Sequence, residues 1–318
     1  MKKQQRLLLP MLACLVVAAN GAALAAPPVP RPPLPALKPL FDYPVRDTSV
    51  CLGPDKIYYL IGTTGHPTWW NVNDGVRMWK SKDLKNWDAL GLVWSYEKDA
   101  TWQRVKTAPD GKKTADSAIW APEIHYFKHT YWISYSLNYA GTGIWKSTSG
   151  KPDGPYVDVK KDGPLTGGID ASLFDDDDGA VYFVWQNGKI ARMRDDMSGL
   201  AEAERQLKPS NAGDVGFEGA FLTKIHGRYQ LICADFNKWD EKTQTYDCMA
   251  ASSDKIYGPY GERYLAIPGG GHNVLFSDAQ GQWWSTYFGN DAQAPFKERP
   301  AILRIAIDKN FRITPLVK

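Results

Sequence analysis

Three carboxylates and one imidazole stand at comparable places in a repeated pattern: Asp47, Asp170, Glu218 and His272. Each opens a stretch in which a short motif leads into a polar turn and then an aromatic-rich run. The stretches are 47–60, 170–184, 218–231 and 272–285, and Trp120 opens a fifth at 120–133. A protonated carboxyl can deliver a proton to a leaving oxygen, while a second, ionised carboxylate activates water or attacks directly. Like charges held close together raise one pKa, so one member of such a set keeps its proton near neutral pH. A third acid can orient and tune the proton donor. Three acids brought to one pocket therefore suit hydrolysis of a glycosidic bond.

The elements that must bring them together are legible in the same stretches. The turns hold Gly, Asp, Lys or His, and each unit reads as strand, tight turn, strand. The opening residues are separated by 73, 50, 48 and 54 positions, and about fifty residues make one four-stranded propeller blade. The expected fold is all-β: a five-bladed β-propeller with four-stranded antiparallel blades. The first strand of each blade would line a central channel. Asp47, Trp120, Asp170, Glu218 and His272 would then share one slot at one end of it. The longer first gap contains the polar segment 95–116, read as a surface loop. Helical periodicity is confined to 198–208. The acidic run Asp175 to Asp178 before Gly179 reads as a hairpin turn, because it lacks the alternating ligands of a calcium loop.

Residues 1–25 have the pattern of a cleaved leader: Lys2, Lys3 and Arg6, an apolar run from Leu7 to Ala19, and Ala23-Leu24-Ala25 before the cut. Residues 26–40 are a Pro-rich extended linker, and 41–318 form one propeller domain. The expected location is secreted or periplasmic. Losing three basic residues with the leader leaves 35 basic against 35 acidic side chains. That balance excludes the charge signature of nucleic-acid or anionic-membrane binding, and no apolar run is long enough to span a bilayer. Of the cysteines, Cys233 and Cys248 flank a polar loop and read either as a disulfide or as two buried thiols. Cys51 is left over, and no Cys/His spacing suggests zinc. Aromatic residues make up 13% of the chain, which suits packed strands and also platforms for the flat C–H faces of sugars. Trp69, Trp70, Trp120, Phe217 and Trp185 are candidates for such stacking. Arg299 and Arg304 are candidates for bonding sugar hydroxyls or bracing the acids.

The motifs Val-Arg-Asp-Thr-Ser at 45–49, Trp-Ala-Pro-Glu at 120–123, Gly-Ile-Asp-Ala-Ser-Leu-Phe at 168–174, Phe-Glu-Gly-Ala-Phe-Leu at 217–222 and Gly-His-Asn at 271–273 resemble glycoside hydrolase family 43. The resemblance runs in order through nearly the whole chain after Phe41. It implies a five-bladed propeller and an inverting glycosidase on plant-type polysaccharides, acting on arabinofuranosyl, xylosyl or galactosyl residues. By resemblance Asp47 is the general base, Glu218 the general acid, and Asp170 the residue that positions the acid and raises its pKa. Inversion implies Asp47 and Glu218 carboxyls about 6.5–9.5 Å apart. His272 resembles a channel histidine near which members hold a calcium ion through water; no cofactor is otherwise required. Thr48, Ala171 and Gly219 stand where the family often has proline, a departure that touches subfamily more than mechanism. Glu123 lies an odd number of residues past Trp120, an offset that on a regular strand faces the other way, so it is set aside from catalysis. An endo-arabinanase and a non-catalytic carbohydrate-binding propeller are the alternatives, and the sequence leaves the sugar and the oligomeric state open.

Overall fold

The structure is a computed structural model and describes residues 32–104, 106–107, 113–114, 117–290 and 296–316. The expected leader, the start of the Pro-rich stretch and most of 105–116 lie outside the described residues. Five four-stranded antiparallel sheets follow one another along the chain and form the five blades. Their innermost strands are Arg46–Leu52, Ile119–Phe127, Ala171–Asp175, Glu218–Ile225 and Leu275–Ser277.

Strand alternation explains how the blades adhere. Successive side chains point to opposite faces, so in the second strand of blade 1 Tyr59 and Ile61 face blade 2 while Tyr58 and Leu60 face blade 5. Equivalent clusters fill the remaining gaps: Leu173, Phe183 and Trp132 between blades 2 and 3, Val184, Leu222 and Leu231 between 3 and 4, and Ile232, Leu275 and Leu303 between 4 and 5. Each interface buries several large apolar side chains, at about 1.5–3 kcal/mol apiece.

The last part of the Pro-rich stretch is tied to this body. Leu37 packs with the cluster between blades 4 and 5, and the Leu40 N–H donates to the Pro300 carbonyl at 2.7 Å. The same alternation settles the two cysteines of blade 4. Cys233 lies opposite Met249 and Cys248 opposite Ala234, so the thiols sit on opposite faces, one toward blade 3 and one toward blade 5. Both are free thiols. The acidic run makes the expected hairpin turn, closed by the Asp176 N–H donating to the Ala180 carbonyl at 2.8 Å.

Two expectations about local structure change. Residues 198–208 are not helical: Leu200 bridges to Met193, and Arg205–Gln206 pairs as the outer strand of blade 3. The helical turns lie instead at Tyr96–Asp99 and Trp102–Arg104. There Gln103 is buried and donates to Asp158 at 2.8 Å, and so anchors a segment whose polarity reads as loop. Among the described residues no helix is long and apolar enough to cross a membrane.

Candidate active site

Each innermost strand is entered through a residue of positive φ: Asp47 at 50°, Ala121 at 43°, Asp170 at 57°, Gly219 at 65° and His272 at 58°. Four of the five carry a side chain in a region that glycine favours, a strain that surrounding structure must hold in place. In blades 1, 2 and 4 the strand pairing shifts register at this point. These kinks define the repeated slot, and it differs from the expected one by a residue in two blades. Asp47, Asp170 and His272 occupy it. Trp120 and Glu218 stand one position before it, where blade 1 has Arg46. Glu218 thereby reaches the site from a neighbouring position, and the lack of a side chain at Gly219 leaves room for the His272 ring, which a Cβ there would meet at 3.0 Å.

The hollow over these residues is lined by Arg46, Asp47, Trp69, Trp70, Trp120, Ile169, Asp170, Glu218 and His272. It holds about 60 Å³ of water-accessible space within a mouth of about 350 Å³. A larger hollow of about 370 Å³ lies on the outside of blade 1, but no carboxylate lines it. We place the chemistry in the smaller one, where the acids meet.

Asp47 is buried. Its Oδ2 accepts from Thr63 Oγ1 at 3.0 Å, and its Oδ1 lies 3.4 Å from His272 Nδ1. The Asp170 backbone N–H donates to Ser136 Oγ at 2.6 Å, and its Oδ2 accepts the Gly219 N–H at 3.1 Å. Glu218 Oε1 accepts from Tyr246 Oη at 2.8 Å. Burial raises the Asp170 pKa; the His272 charge opposes this, while the Glu218 and Asp47 charges add to it. Glu218 is raised by burial as well, against the His272 charge and the Tyr246 donor, with the Asp47 charge adding to the rise. For His272 burial disfavours the cation, but Asp47, Asp170, Glu218 and Glu123 outweigh it, so its pKa lies above the ordinary value. The ring of acids thus raises the pKa of its own carboxyls and of the histidine at its centre.

Aromatic rings form one wall. Trp69 and Trp70 stack with centroids 3.9 Å apart, Trp70 meets Trp120 edge-on at 5.3 Å, and Trp120 Nε1 donates to the Trp69 carbonyl at 2.9 Å. Asn73 fixes the loop that carries the two tryptophans, donating to the Ile119 carbonyl at 2.9 Å. The Arg46 guanidinium lies 3.9 Å from the Trp69 ring centroid, and its Nη1 donates to Glu298 and Asn290, each at 3.0 Å.

Other expected residues lie elsewhere. Arg304 is outside the hollow: it bonds Gln282 Oε1 at 2.9 Å and lies over Trp284, because its strand position faces the outer part of blade 5. Arg299 lies beside Phe296, and Trp185 is fully buried between blades. Phe217 is 59% exposed next to Glu218 but does not line the hollow. Sequence reasoning missed Arg46, although it adjoins Asp47, and Tyr246, for which no local pattern exists.

Glu123 departs from the expected facing. Trp120 pairs with Ser136 and Glu123 with Ser134, so three steps on one strand match two on the other. This bulge puts both on one face. Glu123 is buried, and burial pushes its carboxyl up to about 8, with the His272 charge opposing. His125 Nε2 lies 3.6 Å away, and burial holds it down at about 3, so it is neutral.

Calcium takes six to eight oxygen ligands. Among the described residues no group of three or more His, Cys, Asp or Glu is arranged to hold a metal. His272 Nε2 is buried without a partner among them, and its surroundings favour the protonated ring. The side chains present do not fit a directly ligated calcium.

The sequence model of the Glycosyl hydrolases family 43 matches residues 36–310. The xylosidase/arabinosidase 43B of Humicola insolens is 28% identical over 256 residues, covering 74% of this chain and 42% of that protein. The beta-D-galactofuranosidase xynD of Aspergillus niger is 29% identical over 234 residues, covering 65% and 63%. This chain therefore spans 42–63% of the length of these two relatives. Among solved structures, an endo-1,4-beta-xylanase of Bacteroides thetaiotaomicron superposes with a TM-score of 0.67 at 24% identity, covering 89% of this chain and 97% of that one. An alpha-L-arabinofuranosidase of Clostridium thermocellum does so with a TM-score of 0.65 at 19% identity, covering 86% and 93%. At such identity these two show a shared fold. The match of the family's own model over most of the chain shows more: this protein is a member of glycosyl hydrolase family 43.

Proposed function

We propose that the protein is an exported, inverting glycosidase that removes arabinofuranosyl or xylosyl residues, or galactosyl residues, from plant-type polysaccharides. The observation that carries this reading is the meeting of Asp47, Asp170 and Glu218 with a tryptophan wall in one hollow. Glu218, its pKa raised by burial, protonates the leaving oxygen. Tyr246 holds one of its oxygens and leaves the other for the proton. Asp47, oriented by Thr63, takes a proton from a water on the opposite face of the sugar, and that water attacks the anomeric carbon. The leaving oxygen gains the proton of Glu218 and Asp47 gains one from water, so charge balances over the step. Asp170 holds the backbone beside Glu218 and discourages a second negative charge. Every step is carried by the chain's own side chains, and calcium is given none.

The relatives' names include both exo-acting and endo-acting enzymes. We favour release of single sugars, because the tryptophan loop walls one side of a small hollow.

The test is hydrolysis of nitrophenyl α-L-arabinofuranoside, β-D-xyloside and β-D-galactoside by the protein and by Asp47→Asn. Release of one sugar, lost in the variant, is expected. Inactivity on all three and on arabinan and xylan would favour a binding-only propeller.

A further inference from the structure

An aromatic shelf adjoins the hollow on the blade 4 side. Phe217, immediately before Glu218, is 59% exposed, and Phe236 on the neighbouring strand is 40% exposed. Their ring centroids lie 5.9 Å apart. Phe236 in turn packs 4.7 Å from Tyr246, whose hydroxyl donates to Glu218. Two adjoining exposed phenyl rings at the edge of a binding hollow offer an apolar platform that a ligand can cover. The shelf is continuous with the site through Tyr246 and Glu218, and this continuity identifies what covers it.

A general acid must lie beside the oxygen that leaves. The group attached to that oxygen extends away from the bound sugar, on the acid's side of the site. The tryptophan wall belongs to blades 1 and 2, whereas the shelf belongs to the acid's own blade. We infer that the Phe217–Phe236 shelf binds the sugar ring of the leaving group by stacking against its C–H face, and so selects for glycan over simple leaving groups. This assignment rests on the proposed role of Glu218.

The experiment compares a substrate with a leaving sugar and one without. The pairs are xylobiose against β-D-xylosyl fluoride and α-1,5-arabinobiose against α-L-arabinofuranosyl fluoride. The quantity read is the ratio of kcat/KM values within a pair, for the unaltered protein, Phe217→Ala and Phe217→Trp. Because the Phe217 side chain is mostly in solvent, its truncation tests binding with little risk to the fold. Phe217→Ala should lower the disaccharide-to-fluoride ratio about five- to tenfold, mainly through KM for the disaccharide, and Phe217→Trp should restore it. A ratio within about twofold of the unaltered protein's would overturn the shelf assignment and leave the glycosidase reading standing. Failure of the unaltered protein to cleave either member of both pairs would overturn the xylosyl and arabinofuranosyl readings and the shelf assignment with them.

Discussion

The Gly219 N–H donates to Asp170 Oδ2 at 3.1 Å, so the acid of blade 3 grips the backbone of blade 4 at the residue after Glu218. One carboxylate thus does two things for its neighbour: it fixes where Glu218 stands, and the two carboxyls oppose each other's ionisation. The two effects separate by mutation. Asn at 170 can still accept the N–H but carries no charge, whereas Ala does neither. Asp170→Ala should lose about 1–3 kcal/mol of stability, the cost of a buried N–H without a partner, and about 10²–10⁴-fold in kcat. Asp170→Asn should keep most of the stability but move the alkaline limb of the kcat/KM profile to lower pH. Thermal melts and pH profiles of the two variants measure this; equal behaviour would refute the double role.

Tyr246 acts on Glu218 with the opposite sign. Its hydroxyl donates to Oε1 and favours the ionised acid. Tyr246→Phe should therefore raise the Glu218 pKa further and shift the alkaline limb to higher pH, by roughly half a unit to one unit. A shift downward would mean that the hydroxyl does not stabilise the carboxylate.

Glu123 predicts a pH-dependent stability. Its folded pKa, about 8, lies above the ordinary glutamate value of 4.5. A carboxyl raised on folding adds nothing below its unfolded pKa, and its penalty grows as pH rises toward the folded value. Glu123→Gln should therefore match the parent near pH 4. It should become more stable as pH rises to about 8, by an amount on the order of several kcal/mol. Denaturant titrations at four or five pH values would reveal it, and a pH-independent difference would contradict the burial argument.

The three thiols of the folded domain supply a simpler check. Cys51 is pushed up to about 12 by burial, and Cys233 and Cys248 also lie well above the ordinary thiol range because they are buried. All three should resist iodoacetamide in the folded protein and react once it is denatured, without prior reduction. Mass spectrometry counts the adducts; two fewer after denaturation would reveal a disulfide.

Much of this architecture was legible because a propeller repeats itself. Five turn-and-strand units, the last four about fifty residues apart, pointed to the blade count, and the acids that open three of them pointed to one end of the channel. Side-chain alternation does not survive a bulge, however. The kinks at Asp47, Ala121 and Gly219 each break the period-two count. That is why the slot moved by one residue at Glu218 and Trp120, and why Glu123 turned toward the other acids. Tyr246 and Arg304 illustrate the second limit. Each lies on the third strand of its blade, where its reach depends on strand length and twist rather than on any local motif.

The central claim is that Glu218 donates the proton to the leaving oxygen. Its most direct test is the kcat/KM of Glu218→Gln across aryl glycosides whose leaving phenols range from strongly to weakly acidic. A good leaving group departs without a proton, so the variant should retain most activity on dinitrophenyl substrates. It should lose about 10²–10⁴-fold on phenyl or sugar leaving groups. An equal loss across the series would contradict the account and assign Glu218 to binding or structure instead.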